Sequence, residues 1–382
     1  MRDWRDALDR ALTQHALSLD GLRQQVEADS LLAAWLGEEP VGPPSAALYL
    51  ALSDLTEIEV EVLTGEVDPA STLAVAMRTR GQTAPSEVLQ RSTRLLRAAR
   101  AVLRLEPYAD RLRNLHALQR RFSAGVPSAW HARQQGKKAA LQVRAHLELG
   151  VEPILDLPRL IEDFGVAVEF ATTLPEGMHG VTSWTQTRDG WVATITINAN
   201  DYWTVQRFSL AHEFCHVLHQ DRPQDLTTEY EDDPRIASDP SEARAEAFAS
   251  HLLAPRTGLA SYWHQAGLGH QPEEVAVANV MWQWGMSREA SCYALEDVPT
   301  VAWDKSCTER VRSLYVPEML RNAGLDEEWA TMSATQNVAA ASTWLSDATA
   351  ELFLSSRLPV ENYAVVTEQD PSAAARQLLS VD

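Results

Sequence analysis

The sequence predicts a mainly helical α+β fold, with one small sheet and an all-helical N-terminal region. Apolar residues recur at spacings of three and four over most of the chain, which is typical of amphipathic helices. Alternating β-branched residues occur mainly in short segments between residues 166 and 198, which indicates few strands. At 382 residues the chain exceeds the size of one ordinary core, so we expect two or three domains.

Charge is distributed unevenly along the chain. The net charge of −20 argues against general affinity for nucleic acid. Residues 1–75 carry 4 Lys and Arg against 14 Asp and Glu, whereas residues 76–138 carry 14 against 3. The first segment is therefore strongly acidic and the second strongly basic.

Several features favour a cytoplasmic protein. No apolar run approaches the roughly 18 residues that a membrane span needs. The charged start, residues 1–6, lacks the apolar region of a signal peptide. The three cysteines, Cys215, Cys292 and Cys307, are too few and too scattered for a disulfide framework.

Residues 1–75 are predicted to form several short helices. A leucine-rich segment begins at Leu17, Pro43-Pro44-Ser45 precedes a second one, and Leu63-Thr64-Gly65 closes the set. This order resembles the helix-turn-helix domain of phage-repressor-type regulators. The predicted recognition helix, residues 29–39, contains no Lys or Arg, although contacts to DNA phosphates need cations. We therefore expect a degenerate helix-turn-helix domain that binds protein; DNA binding is not favoured.

Residues 76–137 are predicted to be a basic helical region followed by a linker. Within the helical part, residues 84–121, arginines recur every three or four residues at positions 91, 94, 97, 100 and 104. This stripe could pair with the acidic first domain, which we favour, remain a solvated face, or contact nucleic acid. Gly125, Pro127 and Gly136 indicate a linker over residues 122–137.

Residues 138–300 are predicted to form a third domain that contains the sheet. A helical pattern up to Gly165 leads into a strand at residues 166–170. A further strand precedes Asp189-Gly190, a tight hairpin signal, and the strand of residues 191–198 follows. Residues 301–382 form a fourth segment without a motif, with helices expected at 311–323 and 340–354 and a strand at 363–366.

The predicted helix 202–220 contains the sequence H-E-x-x-H, from His212 to His216. Residues four apart share one helix face, so the two imidazoles can hold one metal ion. Zinc is the default for such donors, although Mn²⁺ accepts them too. Glu213 would then lie where it can take a proton from a water at the ion. A core helix with two hydrogen-bonded histidines would leave the position of Glu213 unexplained.

Glu242 is the favoured third ligand. It lies on the apolar face of a predicted helix, and a carboxylate facing a core needs a cation or strong donors. Glu242 could instead belong to a capping box that begins at Asp239, and the residues alone do not decide. Glu246, one turn later, is placed to orient a ligating imidazole. Less favoured ligands are Glu231, Asp232, Asp233 and His251.

Two segments together resemble the ImmA/IrrE metallopeptidases. Residues 207–216 match the pattern R-F-x-L-A-H-E-x-x-H, and residues 242–255 match E-x-x-A-N-x-F-A-x-x-L-L-M-P, with Glu246 in place of Asn and Ala254 in place of Met. The resemblance covers residues 140–300 and implies a zincin-like peptidase core. It also implies that His212, His216 and Glu242 bind the metal.

The resemblance implies peptide-bond hydrolysis with Glu213 as the catalytic base. Candidates for stabilising the oxyanion are Tyr202, Tyr230 and His219. The implied substrate is a single repressor-like protein encoded nearby, cut during stress response, phage induction or mobile-element transfer, with the C-terminal segment in a sensory role. The alternatives are a helix-turn-helix transcription regulator that uses the peptidase fold as a sensor, and an antitoxin-like binding protein. The intact Glu213 disfavours a sensor, which needs no base.

Overall fold

The computed structural model describes residues 4–14, 19, 22, 31–37, 44–56, 58, 60–64, 74–77, 86–122, 129–187, 190–221, 240–336 and 338–380. Over these residues the predicted α+β, mainly helical fold is confirmed. The chain divides into two compact units, Met1–Ala74 with Trp184–Trp191, and Val75–Ser183 with Val192–Asp382. No helix in the described ranges is both long and apolar enough to cross a membrane.

The first unit contains short helices around a leucine-rich core. Its helices are α1 (Trp4–Gln14), α2 (Leu31–Gly37), α3 (Ala46–Thr56) and α4 (Val60–Leu63). Leu8 and Leu12 lie one turn apart on α1 and are buried with leucines of α2 and α3. Helix α2 is the described part of the predicted recognition helix, while Glu38 and Glu39 lie outside the described residues. The helix-turn-helix assignment stays a prediction.

The second unit is built from a small sheet and many helices, after the short strand β1 (Ala74–Met77) at the boundary between the units. In chain order the elements that lie wholly or partly in it are α5 (Ser86–Leu103), α6 (Ala109–Gln119), α7 (Ala129–His146), α8 (Leu157–Glu162), β2 (Ala167–Ala171), β3 (Gly180–Thr187), β4 (Gly190–Asn198), α9 (Trp203–His219), α10 (Pro240–Leu253), α11 (Arg256–Gln265), α12 (Glu273–Trp284), α13 (Arg288–Glu296), α14 (Lys305–Arg312), α15 (Val316–Ala323), α16 (Asp326–Gln336), α17 (Thr343–Leu354), α18 (Val360–Thr367) and α19 (Pro371–Leu379).

Strand β4 lies between β3 and β2 in the sheet. It pairs with β2 in parallel, with Val168 opposite Ile195 and Phe170 opposite Ile197. Side chains on both faces of β4 are buried from residue 192 to residue 198, which is typical of a central strand. The predicted hairpin between β3 and β4 is present in chain order, although Asp189 lies outside the described residues.

Helix α10 packs between α7 and α9 in the centre of the second unit. The approach of α7 is very close at Gly136, where a Cβ atom would lie 2.2 Å from the carbonyl oxygen of Arg244. The prediction of a linker over residues 122–137 is therefore wrong from residue 129 onward, since these residues begin α7. Glycine here serves close helix packing and does not mark a loop.

Residues 301–380 pack into the same compact unit as the predicted peptidase segment. On α5, Arg91 forms an ion pair with Glu169 of β2 and donates a 2.6 Å hydrogen bond to the carbonyl of Val365. The hydroxyl of Ser342, before α17, donates a 2.5 Å hydrogen bond to Glu162 of α8. Arg91, from the arginine stripe, is thus bound inside the second unit, and pairing of the other arginines with residues 1–75 stays a prediction.

The predicted strand at residues 363–366 is wrong, because these residues belong to helix α18. Val360, Tyr363 and Ala364 recur at helical spacing and pack with residues of α17 and α19. This packing outweighs the strand preference of the β-branched residues.

A proline divides both the predicted helical region 84–121 and the predicted helix 311–323. Pro107 separates α5 from α6, and Pro317 lies in the first turn of α15, so that α14 ends at Arg312. Proline cannot donate a backbone hydrogen bond inside a helix, which accounts for both breaks.

Candidate metal centre

Helix α9 brings His212 and His216 together. Both side chains are buried, and their Nε2 atoms lie 3.0 Å apart, as the four-residue spacing predicts. The helix is anchored by its own apolar side chains, such as Phe214, whose ring packs against those of Phe164 and Phe248. The two imidazoles therefore have fixed positions.

Glu242, in the first turn of α10, completes the cluster. Its carboxylate oxygens lie 3.1 Å from Nε2 of His212 and 3.2 Å from Nε2 of His216. Neighbouring ligands of a tetrahedral zinc ion with bonds of about 2.0–2.1 Å lie roughly 3.4 Å apart, so the three atoms fit an ion between them with a small adjustment. The side chain of Glu242 is 34% exposed, which leaves the cluster accessible to solvent. Asp239, the alternative capping partner, lies outside the described residues.

The pKa shifts of His216 and Glu242 show that the cluster favours a positive charge between these side chains. Burial lowers the pKa of His216, but hydrogen bonds with Asp221 and Glu242 raise it by more, to about 10. Burial raises the pKa of Glu242, but its contacts with His212 and His216 hold that pKa well below its usual range. A divalent cation would satisfy the same preference, so the donor set fits a metal ion.

Asp221, two residues after the end of α9, contacts the nitrogen of the His216 imidazole that lies away from the cluster. Its Oδ2 atom lies 3.0 Å from Nδ1 of His216, which places the proton on Nδ1 and leaves Nε2 for the cluster. Its Oδ1 atom accepts a hydrogen bond from Arg244. Glu246, predicted to orient a ligating imidazole, is exposed on α10, so that prediction is wrong and Asp221 makes the contact.

Glu213 is fixed beside the cluster by the start of β3. The Thr182 hydroxyl donates a 2.5 Å hydrogen bond to Oε2 of Glu213, and both residues are buried. A Cβ atom on Gly180 would lie 3.0 Å from Cγ and 3.1 Å from Oε1 of Glu213, so glycine provides the space for this carboxylate. Neither Thr182 nor Gly180 could be predicted from the sequence, since no local pattern connects them to α9.

The other candidates from the sequence do not join the cluster where they are described. Tyr202 is the N-cap of α9, ten residues before His212 and therefore about 15 Å away along the helix. His219 is buried and stacks on Phe122. His251 contacts the carbonyl of Ala247 and lies nine residues past Glu242. Tyr230, Glu231, Asp232 and Asp233 lie outside the described residues.

One comparison with known proteins gives a match over the central part of the chain. Residues 161–296 match the Peptidase_M78 family model, described as the IrrE N-terminal-like domain. This segment includes β2 to α13, and with them the three clustered side chains and Glu213. The match supports a metallopeptidase-family role for these residues, in agreement with the ImmA/IrrE resemblance. No curated protein and no solved structure matches the chain.

Proposed function

We propose that this chain is a zinc-dependent endopeptidase of the cytoplasm. The observation that carries the proposal is the convergence of His212, His216 and Glu242, with Glu213 held next to them. Two imidazoles and one carboxylate are a ligand set of catalytic zinc sites, which keep one position open. Mn²⁺ accepts the same donors.

His212, His216 and Glu242 would hold the ion, and Asp221 would keep His216 in the tautomer that binds it. A zinc ion held by these residues would supply a water of lowered pKa, about 7, and would polarise the scissile carbonyl. Glu213 would take a proton from the attacking water and pass it to the leaving amine. The Thr182 hydrogen bond occupies Oε2 of Glu213 and restricts the orientation of the carboxylate during this transfer.

The proposed substrate is one repressor-like protein encoded nearby, whose cleavage would release genes for stress, phage or mobile-element responses. The ImmA/IrrE resemblance supports this choice. The acidic composition of residues 1–75 supports protein binding by the first unit. We assign the region after residue 300 a sensory role on the same resemblance.

The test compares wild type with Glu213→Gln, which keeps the shape of the side chain but removes the base. Purified neighbouring repressor is incubated with each zinc-loaded protein, and new N-termini are identified by labelling and mass spectrometry. We expect one cleavage site with wild type and loss of cleavage in E213Q at unchanged zinc content. Equal cleavage by both proteins would remove Glu213 from the mechanism. Binding of the adjacent promoter in a gel shift, without cleavage, would support a transcription regulator.

A further inference from the structure

We propose that Arg244 is a positioning residue of the metal centre, which acts on the ligand His216 through Asp221. The contact runs from the guanidinium to one oxygen of Asp221, and from the other oxygen to Nδ1 of His216. The inference rests on the metal site proposed above. It adds a buried cation behind the ligands, at a position of the segment 242–255 for which the sequence predicts no role.

The geometry gives Asp221 a fixed orientation. A carboxylate that only contacts an imidazole can rotate, whereas one held on both oxygens cannot do so without losing a charge-assisted hydrogen bond. Asp221 follows the last turn of α9, and its backbone N–H donates to the carbonyl of His216 at 3.0 Å. Arg244 thus links α10, which carries Glu242, to the imidazole that α9 supplies.

The backbone position of Arg244 is fixed independently. Its carbonyl oxygen lies where α7 passes α10 at Gly136, and this contact leaves no room for a side chain at position 136. Arg244 itself is only 1% exposed. Among the described residues, its Nε and Nη1 atoms have no hydrogen-bond partner, so Asp221 is the carboxylate to which its charge is directed.

The charge of the surroundings explains why a guanidinium is useful here. Three carboxylates, those of Glu213, Asp221 and Glu242, lie at or next to the cluster. A divalent cation offsets two negative charges, and Arg244 offsets the third. A buried ion pair seldom stabilises a fold more than an apolar pair of similar volume would, so fold stability alone does not account for Arg244.

The experiment measures zinc affinity of the full-length protein by competition with a chelator of known affinity. The variants are Asp221→Asn, Arg244→Met, Arg244→Lys and the double variant D221N/R244M. We expect D221N and R244M each to weaken zinc binding by roughly 10- to 100-fold, the range for groups that orient a metal ligand. Arg244→Lys keeps the charge and should recover part of the affinity. In the D221N background, R244M should have little further effect.

Arg144→Met is the matched control. Arg144 is also a buried guanidinium, but it donates to the carbonyl of Leu252, ten residues and about 15 Å along α10 from Glu242. We expect R144M to lower the thermal midpoint without changing zinc affinity. The visible absorption of the cobalt-substituted protein, which reports ligand geometry, should change in R244M but not in R144M.

The outcomes distinguish this inference from the proposed function. If wild type binds no zinc, the proposed function fails. If wild type binds zinc and R244M binds it equally well, or if R244M weakens binding as strongly in the D221N background as alone, the positioning role is overturned. Should R244M fail to fold, D221N and R244K decide: weaker zinc binding in D221N with a smaller loss in R244K supports the proposal, and wild-type affinity in either variant overturns it.

Discussion

Glu162 makes the stability of the second unit depend on pH. Its buried carboxyl group accepts hydrogen bonds from the Ser342 hydroxyl and from the backbone N–H of Trp344 and Val168. Burial raises the pKa of Glu162 from 4.5 to about 7, although these hydrogen bonds oppose the increase. The folded state therefore holds a proton between pH 4.5 and pH 7 that the unfolded chain releases. This contribution to stability is complete below pH 4.5 and is lost as pH rises through 7.

The difference corresponds to about 3 kcal/mol at most, since one pKa unit corresponds to about 1.4 kcal/mol. Glu162→Gln cannot ionise, so this loss should be absent from the variant. The assay is urea unfolding of metal-free protein at several pH values from 5 to 8, followed by tryptophan fluorescence. We expect wild type to lose about 2.5 kcal/mol relative to E162Q over this range, since part of the loss already occurs below pH 5. Glu176 is exposed, so Glu176→Gln is the control. If the difference in unfolding free energy between wild type and E162Q stays constant with pH, the reasoning is refuted.

Three further substitutions probe other buried contacts. Arg91→Ala leaves Glu169 buried without its ion pair and should lower the free energy of unfolding by about 3–5 kcal/mol in urea titrations. Thr182→Val removes the hydrogen bond to Glu213 and should lower kcat on the order of 10-fold at unchanged KM and zinc content, with Thr182→Ser restoring activity. Glu242→Gln removes a ligand and should weaken zinc binding by more than about 100-fold in chelator competition.

Matched controls separate these effects from general loss of packing. Thr194 of β4 is buried like Thr182, but its hydroxyl has no hydrogen-bond partner among the described residues. Thr194→Val should therefore leave kcat unchanged, and a similar loss in both variants would contradict the role of Thr182. For Arg91, a change below about 1 kcal/mol would show that Glu169 finds another partner. For Glu242, unchanged zinc affinity would remove it from the ligand set.

The residues on α9 and the position of Glu242 could be predicted because both follow from helical periodicity. His212 and His216 are one turn apart, and the helix that carries Glu242 has a clear apolar face. Thr182 could not be found in this way, since it lies 31 residues before Glu213 and meets it only through the packing of β3 on α9.

The error at Glu246 has a geometric cause. A residue four positions after Glu242 shares its helix face but lies about 6 Å further along the axis, beyond the cluster at the start of α10. Asp221 reaches His216 because α9 ends one turn after it. Which carboxylate orients an imidazole thus depends on where each helix begins and ends relative to the cluster, and helical periodicity alone does not contain that information.

The contact at Gly136 connects helix packing to the metal centre, and Gly136→Ala tests the connection. Alanine normally stabilises a helix by about 1 kcal/mol over glycine. Here its Cβ atom would lie 2.2 Å from the carbonyl oxygen of Arg244, so α10 must shift at a cost of about 1–3 kcal/mol or more. Glu242 and Arg244 lie in the same turn of α10, and we expect G136A to lower both the thermal midpoint and zinc affinity. Gly258→Ala is equally tight, at 2.2 Å from the carbonyl of Val151, but lies on α11. Gly258→Ala should lower the thermal midpoint but leave zinc affinity unchanged. Equal loss of zinc affinity in both variants would show that general loosening of the fold, and not the shift of α10, weakens zinc binding.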